Sequence, residues 1–297
     1  MSDRLSFLAD ELENFSEIMK FLKPSPGERP RLDGIDIDAV SMPLNGTIGG
    51  DHLVYIDFNK RYDLDALIAK AREGGREEIA AQLELNKRRA GILLADVAGH
   101  RITDALVAAM LHQAFLLGSY YELDMFGQIT TRLFEHLKTR FYESTNIQKL
   151  VALIYGEITD RGRFRFLSAG HAPPLVFSRE FGKIMPLGAD RTVSETLIGI
   201  FPADDAPAQT SLLGPRRRRS DRAVNEIELL NTGDVLLLAT DGLTEHGEGR
   251  FVAEELEGLL DRAKDGTATE ICAALSDAAL AFAPAADDMT FVVMKRL

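Results

Sequence analysis

The spacing of apolar residues divides the chain into segments of helical and strand periodicity. Apolar side chains recur every three or four positions across residues 6–22, which predicts an amphipathic helix. Pro24 and Pro26 end that helix, and with the following linker it forms a predicted N-terminal unit of residues 1–30. The apolar stripe has two interpretations, packing on the main domain or pairing with a second chain.

A main domain of residues 31–297 is predicted from the remaining pattern. Residues 35–58 read as two strands and their turn, and the charged residues 64–90 form a helical insertion near residues 60–90. Further strands are predicted at 91–97, 149–158, 164–168, 174–177, 235–239 and 290–294, and further helices at 104–117, 126–141 and 269–282. The helix at 104–117 is apolar on nearly every face, so it is expected to be buried.

Composition and charge narrow the classes of protein that fit this pattern. The chain has 297 residues, of which 45% are hydrophobic, enough for a large core. The formal net charge of −12 argues against a nucleic-acid partner, because a phosphate backbone repels an acidic surface. The basic run Arg216 to Arg219 is too short to reverse that balance and reads as a solvated loop or as a docking patch for an acidic partner.

The expected compartment is the cytoplasm. Cys272 is the only cysteine, so no intrachain disulfide can form and a reducing environment is expected. The first residues lack the basic start and unbroken apolar centre of a secretory signal. The apolar run at 105–118 is too short to span a bilayer, so no membrane association is expected.

Four aspartates stand at the edges of apolar runs, each beside residues suited to tight turns. They are Asp51 after Gly49-Gly50, Asp96 at the end of a strand, Asp241 before Gly242, and Asp287 before the last strand. Buried carboxylates are costly when unpaired, so four of them indicate one site that folding gathers around a divalent cation. Oxygen ligands favour Mg²⁺ or Mn²⁺ over zinc. The alternative for each residue alone is a turn-capping role.

The order of five motifs resembles one family. They are Gly49-Gly50-Asp51, Asp96-Val97-Ala98-Gly99-His100, Ser168-Ala169-Gly170-His171-Ala172-Pro173-Pro174, the segment 238–245, and Asp287-Asp288-Met289-Thr290. From about residue 35 to the C-terminus, the chain resembles the metal-dependent serine/threonine phosphatases of the protein phosphatase 2C (PP2C) type, in the bacterial SpoIIE/RsbU-like branch. The resemblance implies an α+β fold, a four-layer α-β-β-α sandwich of two antiparallel sheets flanked by helices.

The resemblance also implies a centre of two Mn²⁺ or Mg²⁺ ions. Asp96 would bridge the two ions, and Val97 would offer its carbonyl to one of them. Asp241 and Asp287 would hold the other ion, and Asp51 would bind directly or through water. Asp288 is expected to orient its neighbour instead of binding metal.

Three histidines and one arginine lie near these motifs. His100 either shapes the turn or protonates the leaving group, and His171 is expected to hold a turn by a hydrogen bond. His52 is expected to be exposed. Arg101 replaces the glycine usual in the family, and it either binds the phosphate or is a surface residue paired with Asp104.

One further departure from the family pattern concerns the metal site. The family usually has an acidic residue three positions after the Gly-Gly-Asp aspartate, and here that position is Val54. A weakened outer shell of the site is one consequence that this difference allows.

The leading interpretation is a phosphoprotein phosphatase that hydrolyses phosphoserine or phosphothreonine in bacterial partner-switching signalling. Its expected substrate is a phosphorylated protein, such as a STAS-type anti-anti-sigma factor, and a homodimer through the N-terminal helix is considered. One alternative is a pseudophosphatase that binds a phosphoprotein without turnover. Another is a metal-dependent hydrolase of small phosphate esters, since a fold does not select its substrate.

Overall fold

The structure is a computed structural model that describes residues 2–44, 49–99, 102–144, 149–187, 192–195, 197–199, 224–229 and 231–297. Two residues named in the sequence analysis, His100 and Arg101, lie outside these ranges. The basic run Arg216 to Arg219 lies outside them as well.

Two sheets form the centre of the molecule. The described strands are β1 (Ile35–Met42), β2 (His52–Asp57), β3 (Arg89–Val97), β4 (Val151–Thr159), β5 (Arg163–Ala169), β6 (Leu175–Ser178), β7 (Lys183–Met185), β8 (Ser194–Glu195), β9 (Asn225–Glu228), β10 (Val235–Ala239) and β11 (Met289–Arg296). The first sheet has the strand order β1-β11-β10-β6-β7 and the second has the order β2-β3-β4-β5-β8, with β9 also paired to β5. These strands pair antiparallel, except for a short parallel pairing of β5 with β8.

The described part of the chain has nine α-helices, and those after α1 cover the outer faces of the paired sheets. They are α1 (Ser2–Lys20), α2 (Phe58–Arg61), α3 (Leu64–Glu73), α4 (Glu77–Asn86), α5 (Ile102–Phe126), α6 (Thr131–Ser144), α7 (Asp241–Thr244), α8 (Glu257–Ala263) and α9 (Ala268–Phe282). A 3₁₀ turn at Pro26–Glu28 and a π-helical turn at Phe251–Leu256 complete the regular elements of the described chain.

Three apolar layers hold these elements together. One lies between α3 to α6 and the second sheet, one between the two sheets, and one between the first sheet and α7 to α9. This arrangement confirms the predicted four-layer α-β-β-α sandwich. The helical insertion near residues 60–90 is present as α3 and α4, and the Asp63 side chain caps α3 by accepting from Ala66 N at 3.0 Å.

Strand alternation decides which residues face the layer between the sheets. In β3, Ile92 and Leu94 belong to the inter-sheet core, whereas Leu93 and Ala95 pack against the helices. Successive side chains of a strand point to opposite faces, so Asp96 shares the inter-sheet side with Ile92 and Leu94. The same alternation places Asp51 in line with Leu53 and Tyr55, at the same end of the sandwich.

Helix α5 corrects two expectations from the sequence. It runs for 25 residues, and its face with Leu111 and Phe115 is buried, but Leu106 and Leu117 on the other face are 52% and 61% exposed. The expectation of complete burial was therefore wrong. By length and composition, α5 is also the one helix in the described ranges that is long and apolar enough to cross a membrane, with 39% of its most apolar window buried. The length argument from residues 105–118 therefore does not hold.

Helix α1 lies largely outside the core. Leu8, Leu12 and Ile18 are 56%, 44% and 63% exposed, and Met19 near its end is buried. The apolar stripe predicted from the sequence is thus present but is mostly not covered by the described part of this chain. Residues after the helix do contact the domain, since Arg31 N donates to Asp57 Oδ2 at 3.3 Å.

Candidate metal centre

Asp51 and Asp96 are brought together by strand pairing. In the antiparallel pairing of β2 and β3, His52 lies opposite Ala95. One step further along the same register, Asp51 is opposite Asp96, and both side chains are on the inter-sheet side. Two motifs that lie far apart in the sequence thus supply one pair of facing carboxylates.

The other sheet supplies Asp241 and Asp287 to the same end of the sandwich. Asp241 is the first residue of α7 and is separated from the end of β10 by Thr240, and Asp287 precedes β11, the strand that pairs with β10. Gly242 allows these two turns to touch, because a Cβ at that position would collide with the backbone carbonyl oxygen of Asp288. This close approach is a physical reason for the Asp-Gly sequence of the motif.

Thr240 links the two sheets at the site. Its Oγ1 donates to Asp51 Oδ2 at 2.8 Å and accepts a hydrogen bond from Thr290 N at 3.0 Å. The side chain is buried, so the hydroxyl has a fixed position between a strand of the first sheet and the aspartate beside the second. It therefore orients one oxygen of Asp51.

Asp288 holds the loop that precedes Asp51. The buried carboxylate accepts from Leu44 N at 2.7 Å and from Gly50 N at 2.6 Å. Its own backbone N–H donates to Asp287 Oδ1 at 2.8 Å. Both carboxylate oxygens are therefore occupied by backbone groups, which fits an orienting residue better than a metal ligand.

Val97 offers a backbone carbonyl beside these carboxylates. A Cβ added to Gly50 would collide with the carbonyl oxygens of Val97 and Gly99, so those oxygens lie against the residue that precedes Asp51. Val97 N also donates to Gly50 O at 3.3 Å. Only glycine fits at position 50, and its absent side chain leaves the Val97 carbonyl near Asp51.

Mutual repulsion marks the carboxylates as one cluster. Burial, followed by the negative charges of Asp241 and Asp287, raises the pKa of Asp96 to about 7. Burial and then the Asp96 charge raise the pKa of Asp51 well above its ordinary value. Burial followed by the Asp287 charge raises the pKa of Asp241. Cations would relieve this repulsion.

The donor set fits a hard divalent cation in its chemistry. Carboxylates and a backbone carbonyl are the oxygen ligands that Mg²⁺ and Mn²⁺ prefer. Within the described ranges, no three side chains among His, Cys, Asp and Glu already stand in position to hold a metal ion. Asp96 and Asp241 are close enough for a side-chain hydrogen bond, and Asp287 acts on both through its charge.

The histidines divide into three cases. His100 is outside the described residues, as is Arg101. His171 is buried and shares a 2.9 Å hydrogen bond between Nδ1 and Ala172 O, the turn-holding contact expected of it. His52 is 5% exposed, with Nε2 at 2.8 Å from Nδ1 of His112, so the expectation of exposure was wrong.

Asp104 has a partner that bears on the two interpretations of Arg101. Its buried carboxylate forms an ion pair with Lys149 Nζ, and the same ammonium donates to Ala98 O at 3.2 Å. Lys149 therefore ties the start of α5 to the turn after Val97. The sequence did not indicate this contact, nor the roles of Thr240 and of Asp288 as a backbone anchor, because each depends on partners distant in the chain.

Val54 is buried on the helix-facing side of β2. It is 2% exposed and belongs to the core between the second sheet and α3 to α6. Asp51 lies on the opposite, inter-sheet side, so an acidic side chain at position 54 in this backbone would point away from the carboxylate cluster. Valine at this position fills the core instead.

Comparison with solved structures shows the fold. The SiaA PP2C domain of Pseudomonas aeruginosa has a TM-score of 0.60 and 17% identity, with full coverage of both chains. The RsbU and RsbW domains of Rv1364c from Mycobacterium tuberculosis have a TM-score of 0.59 and 18% identity. That match covers 90% of this chain and 61% of the other. The PP2C phosphatase domain of SpoIIE from Bacillus subtilis, with a fragment of its regulatory domain, has a TM-score of 0.56 and 16% identity. That match covers 88% of this chain and 63% of the other. This chain thus spans less than two thirds of the latter two.

The sequence comparison shows the family. No curated protein sequence matches the chain. The family model for Stage II sporulation protein E (SpoIIE) matches residues 86–297, which include Asp96, Asp241 and Asp287 and begin after Asp51. Because this match covers well over half of the chain, the protein belongs to the Stage II sporulation protein E (SpoIIE) family.

Proposed function

We propose that the protein is a metal-dependent phosphatase that removes phosphate from phosphoserine or phosphothreonine in a protein substrate. The observation that carries the proposal is the convergence of Asp51, Asp96, Asp241 and Asp287 from strand ends of two sheets into one mutually repelling cluster. Family membership supports it, since the resemblance to PP2C-type phosphatases implies this reaction.

In this proposal the site takes two Mn²⁺ or Mg²⁺ ions. Asp96 would be shared by the two ions, and the Val97 carbonyl would be a further ligand of one of them. Asp241 and Asp287 would hold the other ion, and Asp51 would bind directly or through water. Such ions lower the pKa of a coordinated water and stabilise charge on phosphoryl oxygens. Thr240 orients Asp51, and Asp288 holds the Gly50 backbone against the Val97 carbonyl.

Two residues outside the described ranges complete the proposed chemistry. His100 is three residues beyond Val97 and is a candidate acid for protonating the leaving serine oxygen. Arg101 follows it and is a candidate for a paired hydrogen bond to the phosphoryl oxygens.

The proposed setting is bacterial partner-switching signalling in the cytoplasm, away from membranes and nucleic acids. Similar structures include RsbU and RsbW domains and a SpoIIE phosphatase domain, which supports a phosphorylated STAS-type anti-anti-sigma factor as the substrate. The net charge of −12 supports a protein partner over a nucleic acid. The exposed apolar stripe of α1 supports a homodimer through that helix.

Metal binding and turnover test the proposal separately. The purified chain should hydrolyse an aryl phosphate and a phosphoserine peptide only with added Mn²⁺ or Mg²⁺, and EDTA should abolish both activities. Mn²⁺ should also raise the melting temperature. An ion that binds only the folded state, at a concentration 100 times its Kd, raises the free energy of unfolding by about 2.7 kcal/mol. Asp96→Asn should lose both effects.

A pseudophosphatase remains the alternative function, and the same assays separate it. Absence of turnover on several phosphoproteins with metal present, together with measurable binding to one of them, would favour it. The sequence has the expected residue at every expected metal-ligand position, and this supports an active phosphatase over a pseudophosphatase.

A further inference from the structure

The direction of the Val97 carbonyl is fixed by the peptide group to which it belongs. Val97 is the last residue of β3, and the next amide in the chain, Ala98 N, donates to Leu150 O at 2.9 Å. The N–H and the C=O of one trans peptide point in opposite directions. The Val97 carbonyl therefore points away from Leu150, toward the side on which Gly50 lies against it.

Lys149 fixes the following peptide group. Its Nζ donates to Ala98 O at 3.2 Å, and Ala98 O belongs to the peptide that joins Ala98 to Gly99. The side chain of Lys149 is 24% exposed, so this contact is largely shielded from water. Lys149 and its neighbour Leu150 thus hold the two successive peptide groups that follow Val97.

Asp104 anchors the ammonium of Lys149 at this position. Asp104 Oδ1 lies 2.5 Å from Lys149 Nζ, and the aspartate side chain is 0% exposed in the first turn of α5. Movement of the ammonium away from the turn would leave a buried carboxylate without this ion pair, which is costly. The hydrogen bond to Ala98 O is therefore held in place by the ion pair.

Gly99 leaves no free space between this ion pair and the loop before Asp51. Its φ of +116° suits glycine, and a Cβ at this position would collide with the Asp104 carboxylate. On the other side, a Cβ at Gly50 would collide with the carbonyl oxygens of Gly99 and Val97. Closely packed groups transmit displacements, so a shift of the ion pair would also move the Val97 carbonyl.

We propose that Lys149 is a positioning residue of the candidate metal centre, which holds the Val97 carbonyl in the direction that binds a cation. The inference rests on the proposed function, in which this carbonyl is a ligand of one ion. An ammonium has three donors and no lone pair, so Lys149 acts through the turn and not as a ligand. A ligand that is already oriented loses little freedom on binding, so the effect of Lys149 should be measurable as metal affinity.

Two variants that differ only at position 149 test the proposal. Lys149→Met alone would leave Asp104 without its ion pair and could unfold the protein, so the comparison is made in the Asp104→Asn background. Asp104→Asn keeps the lysine, whereas the double variant Asp104→Asn with Lys149→Met lacks the donor to Ala98 O. Calorimetric titration with Mn²⁺, below the melting temperatures of both proteins, should show binding of one ion weakened roughly tenfold or more in the double variant.

Two further variants show whether the effect is specific to this lysine. Arginine keeps the positive charge and the N–H donors, so Lys149→Arg should retain part of the Mn²⁺ affinity. Lys70 forms an ion pair with Asp124 near the other end of α5, at 2.8 Å. Lys70→Met removes that contact and should bind Mn²⁺ with the affinity of the wild type.

Kinetics give a readout that a merely structural role would not move. Weaker ion binding raises the Mn²⁺ concentration that gives half-maximal phosphatase activity, and kcat at saturating Mn²⁺ should stay close to that of Asp104→Asn. A smaller folded fraction would instead lower kcat and leave the half-maximal Mn²⁺ concentration unchanged. That second pattern in the double variant would assign Lys149 to the fold and overturn its positioning role.

The outcomes separate this inference from the proposed function. Equal Mn²⁺ affinities in Asp104→Asn and the double variant would overturn the role of Lys149 and leave the phosphatase proposal intact. If the wild type binds no Mn²⁺ or Mg²⁺, the proposed metal centre fails and this inference fails with it. If the wild type binds Mn²⁺ but hydrolyses no phosphate ester, the phosphatase proposal fails, and the calorimetric comparison still decides whether Lys149 positions the turn.

Discussion

Thr240 Oγ1 donates to Asp51 Oδ2 at 2.8 Å, across the gap between the two sheets. Thr240 follows a strand of the first sheet, whereas Asp51 precedes a strand of the second. Because Thr290 N fixes the same hydroxyl from the other side at 3.0 Å, the orientation of Asp51 depends on the relative position of the sheets. Packing of the inter-sheet core therefore sets the geometry of the proposed ligand.

We expect Thr240→Ala to weaken metal binding more than it weakens folding. Loss of the hydroxyl frees one oxygen of Asp51 from its fixed direction, and loss of such an orienting partner costs about 10- to 100-fold in metal affinity. Thr240→Ser keeps the oxygen and serves as the matched control. Mn²⁺ titration by calorimetry measures the effect, and equal affinities in wild type and Thr240→Ala would contradict the orienting role.

Asp96→Asn should mainly reduce phosphatase activity, whereas Asp288→Asn should mainly reduce stability. Asp96→Asn removes a charge from a repelling cluster, so the metal-free protein should melt no lower than wild type while phosphatase activity falls by more than roughly 100-fold. Asp288→Asn turns an amide NH₂ toward one of the backbone N–H groups of Leu44 or Gly50, and should cost about 1–3 kcal/mol of stability.

Thermal unfolding without metal and activity with saturating Mn²⁺ measure the two effects. Asp96→Asn should lose more activity than Asp288→Asn at a temperature where both variants are folded. Equal and mild losses in both folded variants would count against the assignment of Asp96 as the bridging ligand.

The sequence predicted those parts of the fold that depend on local periodicity. The strand at 235–239 agrees with β10, and the helical insertion near residues 60–90 is present as α3 and α4. Short strands such as β8, with two residues, were missed because they depend on pairing partners and carry no pattern of their own. Helix α8 was missed as well.

The candidate site was predictable only as a list of residues. The motifs identified Asp51 and Asp96, but His52 was expected at the surface because its burial depends on His112, 60 residues away in α5. Asp288 accepts a hydrogen bond from Gly50 N, a residue 238 positions earlier in the chain. Such contacts follow from tertiary packing, which no local pattern encodes.

Lys149→Met should destabilise the turn that carries Val97. Lys149 neutralises the fully buried Asp104 and holds Ala98 O at 3.2 Å, so its loss leaves a buried carboxylate without this ion pair. Breaking one side of a buried ion pair costs about 3–5 kcal/mol. The double variant Lys149→Met with Asp104→Asn should recover much of that loss, which urea unfolding of the three proteins would show. If Lys149→Met alone were as stable as wild type, the proposed stabilising role of Lys149 would be refuted.

Deletion of residues 1–20 should abolish self-association and leave the chemistry of the metal site intact. Leu8 and Leu12 are 56% and 44% exposed on α1, an apolar stripe that a second copy of the helix would cover. The deletion ends before Lys23 because the following segment lines a cavity beside Asp51. Multi-angle light scattering should show a dimer for the full chain and a monomer for the deletion, with similar kcat on an aryl phosphate. Leu8→Glu should also give a monomer, whereas Ser6→Glu adds the same charge at an exposed polar position and should stay dimeric. A monomer at both lengths would remove the case for pairing through α1.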